Sequence, residues 1–153
     1  MLNRGVSSTA DVRRFLTPEM RELLPPDRLP NAVAAGQRLA KAVRDKERIV
    51  IYGDYDVDGV TATTILWHML QLAGANVSFY IPSRLDEGYG VNAQALESIA
   101  ADGPAVVITV DCGVTAIEEA VIAKQLGLEL IITDHHEPRE SLPDAVCIVH
   151  PTA

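Results

Sequence analysis

Only two cysteines occur in the 153 residues, Cys112 and Cys147, and they stand 35 positions apart in no CxxC pair. That scarcity speaks against a disulfide framework or a thiolate zinc site and suits buried thiols in a reducing compartment. Apolar runs are short. The longest are pieces such as "AVVITV" (105–110), far below the ~20 residues that cross a bilayer, and the opening "MLNRGVSSTADVRRF" has no apolar signal-peptide core. A cytoplasmic protein without membrane attachment is expected. Aromatic residues make up only 5% of the chain, few for the stacking platforms that grip single-stranded nucleic acid. Basic charge is scarce in one part only: residues 1–48 carry 10 Lys/Arg against 6 Asp/Glu, whereas residues 49–153 carry 3 against 15. A second part at −12 has no basic face for a phosphate backbone, so a strong DNA-binding surface is expected mostly outside these residues. The excess acid either solvates the surface or is partly offset by bound metal.

What remains is ordinary for one globular domain with a real core, at 48% hydrophobic and 22% charged residues. Pro18, Pro25, Pro26 and Pro30 interrupt the first stretch, which predicts short helical pieces such as "DVRRFL" and makes residues 1–30 a lead-in to a domain at 31–153. From Asn31 to Lys46, Val33, Leu39, Ala40 and Val43 fit a helical stripe, with Asn31 the candidate N-cap. Five β-branched or aromatic runs follow at 48–53, 77–82, 105–110, 128–133 and 146–149, most of them too continuously apolar for a one-sided sheet. Helices are expected between them at 60–73, with Ala62, Ile65, Leu66, Met69 and Leu72 on one face and Gly74 as stop, at 92–101, and at 115–126 with Gly127 as stop. Repeated strand then helix predicts an α/β fold, doubly wound, with a mainly parallel sheet and helices on both faces.

Ligands of an open parallel sheet bind beyond the carboxyl ends of its strands, and the unusual residues of this chain fall there. "GDYDVDG" (53–59) puts Asp54, Asp56 and Asp58 after the first strand, Ser83 and Arg84 follow the second, Asp111 ends the third, and Asp134, His135 and His136 follow the fourth. Crowded carboxylates repel, so a cation is the first partner to seek. Carboxylate oxygens with an imidazole suit Mn²⁺ or Mg²⁺, and two such ions ~3.5 to 4 Å apart promote phosphoester hydrolysis. The first-helix amides and the Thr61 hydroxyl are further candidates to hold a phosphate or an aspartate. Each feature alone has a plainer reading: an aspartate-rich turn at 53–59, a capped turn at 134–136, a turn residue at Asp111 before Gly113, a surface ion pair at Arg84. Their joint occurrence at successive strand ends argues for the site. His68 and His150 are expected to be structural or exposed.

With these residues assembled, the chain resembles the DHH phosphoesterase superfamily. "IYGDYDVDGVTAT" is similar to its first motif, "VITVDCGV" to its second and "IITDHHEP" to its third, while "IPSRLDEGYGVN" resembles a segment of the branch that digests single-stranded DNA from 5′ to 3′. The resemblance runs from about "DVRRFL" to the end and implies metal ligation by Asp56, Asp58, Asp111 and His135. Asp54, counted with the ligands, and Asp134, counted with the catalytic groups, would either ligate or fix the others. His136 would face the scissile phosphate as donor or general acid, and Arg84 would contact phosphate. Tyr52 stands where some relatives carry histidine, which implies fewer ligands for the first metal. The resemblance also implies a fourth motif and a second domain beyond residue 153, so that 31–153 is expected to be incomplete. The implied activity is metal-dependent hydrolysis of single-stranded DNA in recombination and repair. Alternatives are a family phosphodiesterase for short oligonucleotides or cyclic dinucleotides, or a non-catalytic scaffold of the same fold. The "RLDEGYG" loop and the filled first three motifs favour the exonuclease.

Overall fold

β-Branched residues pack well on a pleated surface covered from both sides, and the apolar runs do form such a sheet. The structure is a computed structural model that describes residues 3, 5–83 and 88–152. In chain order the elements are α1 (Thr9–Leu16), α2 (Ala32–Arg44), β1 (Arg48–Tyr52), α3 (Val57–Leu72), β2 (Asn76–Tyr80), α4 (Ala93–Ala101), β3 (Val106–Val110), α5 (Ile117–Gln125), β4 (Glu129–Thr133) and β5 (Cys147–Val149). Two short 3₁₀ turns, Met20–Glu22 and Pro26–Arg28, lie between α1 and α2. The strands pair only in parallel, in the order β2-β1-β3-β4-β5. From β1 the chain steps outward to β2 and then returns to β3 on the other side of β1, which makes the β1/β3 junction the switch point of the sheet.

The alternation of side chains along the strands divides the core between two faces. Val50, Tyr52, Val107, Leu130 and Ile132 pack with Leu96 and Ile99 of α4 and Ala120 and Ala123 of α5. Ile49, Ile51, Val106, Ile108 and Ile131 pack with Ala35 and Ala42 of α2 and Leu70 of α3. β3 is buried at all five positions, which accounts for its uninterrupted apolar run, whereas β2 is an edge strand with Phe79 exposed. The fold is thus doubly wound α/β, as expected. Among the described residues no helix is long and apolar enough to cross a membrane. Cys112 is buried and Cys147 half-buried, and burial pushes both thiols up in pKa.

Three local expectations are corrected. Asn31 occupies the cap position of α2 but in the left-handed region (φ 60°), and its side chain does not cap; Nδ2 donates to the Ile148 carbonyl at 2.8 Å, tying α2 to β5. Helix α3 begins at Val57, not 60, because Asp56 caps it. Its packed face is also rotated: Ile65, Met69 and Leu72 are 66%, 61% and 85% exposed, and the inward residues are Gly59, Thr63 and Leu70, with the expected Ala62 and Leu66 and also Trp67 beside them. The helix is apolar nearly all round, so periodicity discriminates poorly between faces, and a backbone contact decides the rotation. A Cβ on Gly59 would lie 2.6 Å from Asp54, and one on Gly53 would collide with Thr63. The glycines of "GDYDVDG" therefore let α3 seat directly on the end of β1. We expect Leu70→Ala to cost about 2–4 kcal/mol in urea or thermal unfolding and Leu72→Ala less than ~0.5 kcal/mol. Equal costs would restore the 62/65/66/69/72 face.

Candidate metal centre

Each strand end uses a different device to present an acid. After β1, Asp54 is buried; its Oδ2 accepts the Asp56 N–H at 3.4 Å, while Oδ1, also buried, accepts nothing from any described residue. Asp56 is the N-cap of α3, with Oδ1 accepting the N–H groups of Asp58 (2.9 Å) and Gly59 (3.0 Å). These caps consume the first helix amides, and Thr61 Oγ1 donates to the Val57 carbonyl at 2.6 Å, so these donors serve the helix itself. After β3, Asp111 has φ 65°, a region Asp tolerates better than most residues. Its N–H donates to Thr133 O at 3.0 Å, and the buried Thr109 hydroxyl donates to Cys112 O at 2.7 Å, which fixes the turn. After β4, Asp134 accepts from four donors: Val114 N–H on Oδ2 (2.8 Å), and His135 N–H (2.7 Å), His136 N–H (3.1 Å) and His136 Nδ1 (2.7 Å) on Oδ1.

These ends converge. Asp54, Asp56 and Asp111 offer oxygens within 4.8 Å of one another, and Asp111, His135 and His136 form a second such group. Asp111 is common to both, with Oδ1 3.0 Å from His135 Nε2. Asp58 is outside both groups and lines an adjoining cavity of about 350 Å³ with Asp111, Asp134 and His135. Asp134 is outside them as well; its oxygens are occupied in holding the 134–136 turn. Arg84 lies outside the described residues. Tyr52 is not at the site: it is buried toward α4, its hydroxyl donating to Gly90 O and accepting from Asn92 Nδ2, both at 3.1 Å. His68 is exposed on α3 and packs on Trp67.

The charges respond to this crowding. Burial, and then the charge of Asp56, push Asp111 above the ordinary carboxylate range, while hydrogen bonds from Gly59 and Asp58 hold Asp56 below it. Burial works against the Asp134 carboxylate, but its hydrogen bonds outweigh this and keep it low. The bond to Asp134 raises His136 in turn. Sequence reasoning missed Tyr89, whose hydroxyl lies 3.0 Å from His136 Nδ1 and whose ring meets that imidazole edge-on. It sits within the quoted "RLDEGYG", and a polar aromatic between two glycines was the available signal.

Fold and cluster together define a parallel α/β domain with a candidate divalent-metal centre at its switch point. A family model described as the DHH family, N-terminal domain, matches residues 48–153, and the chain belongs to the DHH family. The single-stranded-DNA-specific exonuclease RecJ of Bacillus subtilis is 46% identical over 151 residues, 99% of this chain and 19% of that protein. A crystal structure of exonuclease RecJ bound to manganese superposes with a TM-score of 0.76 at 40% identity, over 84% of this chain and 32% of that one. RecJ of Thermus thermophilus in complex with Mn²⁺ gives 0.73 at 34% identity, over 91% and 19%. The chain spans 19% to 25% of the length of the first curated relatives it matches.

The two kinds of acid have opposite effects on stability. Asp134→Ala strands three backbone N–H groups and is expected to cost about 2–4 kcal/mol. Asp111→Asn relieves like-charge repulsion and is expected to leave metal-free stability unchanged or raised. Urea unfolding with chelator present checks both, and the reverse order would overturn the assignment of Asp134 as the holding group.

Proposed function

We propose that this domain is the metal-binding part of a phosphodiesterase that digests single-stranded DNA from its 5′ end with Mn²⁺ or Mg²⁺ as cofactor. The observation that carries the reading is the convergence of donors from three strand ends on Asp111, in a chain 46% identical to a single-stranded-DNA-specific exonuclease. The donors fit hard divalent ions: they are carboxylates and imidazoles without thiolate, and a buried Asp54 oxygen has no hydrogen-bond donor among the described residues. Asp54, Asp56 and Asp111 would hold one ion and Asp111 and His135 a second, with Asp111 shared between them and Asp58 at the margin. Bound ions would lower the pKa of a water and neutralise charge on the phosphate.

The remaining roles belong to the chain itself. Asp134 fixes the His136 ring with Nδ1–H directed at its own carboxylate. His136, raised in pKa by that bond, is suited to meet the scissile phosphate as donor or general acid. Tyr89 closes one side of the imidazole. Arg84 is assigned to a substrate phosphate on the strength of its motif. Residues 49–153 at −12 oppose DNA, so the 153 residues alone are expected to bind Mn²⁺ more readily than they degrade DNA.

Two experiments test this reading. In a protein carrying this domain at the length of its relatives, Asp111→Ala and His135→Ala are each expected to lower release of label from 5′-labelled single-stranded DNA at least ~100-fold, with native circular dichroism. Near-wild-type turnover in saturating Mn²⁺ would overturn the ligand set. On the 153-residue chain, protons compete with the ion: Asp111 is raised and holds its proton to higher pH than an ordinary carboxylate, and an imidazole ligand must be deprotonated. Mn²⁺ affinity by calorimetry is therefore expected to rise from about pH 5 to about pH 7.5. A flat profile would count against a ligand set containing Asp111 and His135.

A further inference from the structure

His150 follows β5 and is 2% exposed, one of the few buried polar groups of the domain. Its Nε2 lies 2.8 Å from the carbonyl oxygen of His136, and its Nδ1 accepts the N–H of Thr152 at 3.1 Å. A carbonyl only accepts and a backbone amide only donates, so the two partners fix a single tautomer, with hydrogen on Nε2 and none on Nδ1. The sheet explains the encounter. Thr133 of β4 is in register with Val149 of β5, and the Asp134 N–H extends that ladder to Val149 O at 3.2 Å. His150 is therefore the next residue beside the 134–136 turn. An apolar side chain in its place would leave the His136 carbonyl and the Thr152 amide without these partners inside the protein.

Other contacts already constrain His136: its N–H and Nδ1 are held by Asp134, and its ring is flanked by Tyr89 and His135. Its carbonyl is the remaining handle, and only His150 among the described residues is seen to hold it. We propose that His150 is a positioning residue: by anchoring the His136 carbonyl to the end of β5 it fixes the backbone from which the His136 imidazole is aimed. It acts through His136 and does not itself touch substrate. The catalytic relevance rests on the reading of His136 given above, but the geometric claim does not.

The test is made on the metal-free 153-residue chain, by long-range proton–nitrogen correlation of the histidine rings at mildly alkaline pH. In the wild type His136 is expected to show one tautomer, protonated on Nδ1, and His150 one tautomer protonated on Nε2. His150→Gln carries an Nε2–H that can reach the same carbonyl and is expected to keep the His136 signature. His150→Leu is expected to stay folded by circular dichroism but to show His136 averaged between tautomers. A folded His150→Leu chain with the wild-type His136 signature would overturn the proposal. Should the leucine variant fail to fold, the glutamine variant decides: a retained signature supports anchoring, and a folded chain with an averaged His136 overturns it. Because no DNA or metal enters the measurement, its outcome is separate from that of the exonuclease reading.

Discussion

The acidic edge depends on the parallel pairing of β3 between β1 and β4. Asp54, Asp56 and Asp111 offer oxygens within 4.8 Å, a separation at which each charged pair repels by about 3–4 kcal/mol at the effective dielectric of a protein surface. No local preference of the chain would bring them together. The buried strands do so because Tyr52 aligns with Thr109 and Val110 with Thr133, so that the three chains leave the sheet side by side. The cost shows at Asp111, which burial and the charge of Asp56 raise above the ordinary carboxylate range, and a bound cation would offset it.

Within the edge the aspartates divide their work. Asp56 and Asp134 are anchored by backbone amides, the first at the head of α3 and the second at the turn after β4. Anchoring lowers the mobility of the ends and sets the orientation of their neighbours. Asp111 is different. Among the described residues it has no such amide cage and is the acid common to both donor groups, and it takes a left-handed backbone conformation. Strain of this kind, roughly 1–3 kcal/mol, persists where the surroundings enforce it, and Thr109, Cys112 and Thr133 enforce it here.

A second polar layer lies behind the donors. Tyr52 holds Gly90 and Asn92, and thereby the segment that carries Tyr89 over His136, while His150 holds the far side of the same turn. The His136 ring thus rests against Asp134 after β4, its neighbour His135 and Tyr89 from the segment before α4. Residues 49–153 carry only three Lys/Arg, so little basic charge offsets the acids of this edge.

Strand identity, the doubly wound class and the clustering of Asp54, Asp56, Asp111 and His135 were legible in the sequence, because continuous apolar runs bounded by Asp and Gly encode buried parallel strands and their acid-bearing ends. The division of roles among the acids was not. A carboxylate that caps a helix or gathers amides reads the same in one dimension as one that faces outward, so Asp134 stayed open between ligating and fixing the others until its four donors were visible. The packed face of α3 was only partly legible for a related reason: apolar residues fall on nearly every side of the helix, and the close approach of Gly59 to Asp54 selects its rotation. His150 was read as structural or exposed, and its link to His136 emerged only from the register of β4 with β5. Sequence determined which elements form and where their ends carry charge, because those follow from local periodicity and composition. Tertiary structure decided which of those charges are free to bind, because that depends on contacts between residues far apart in the chain.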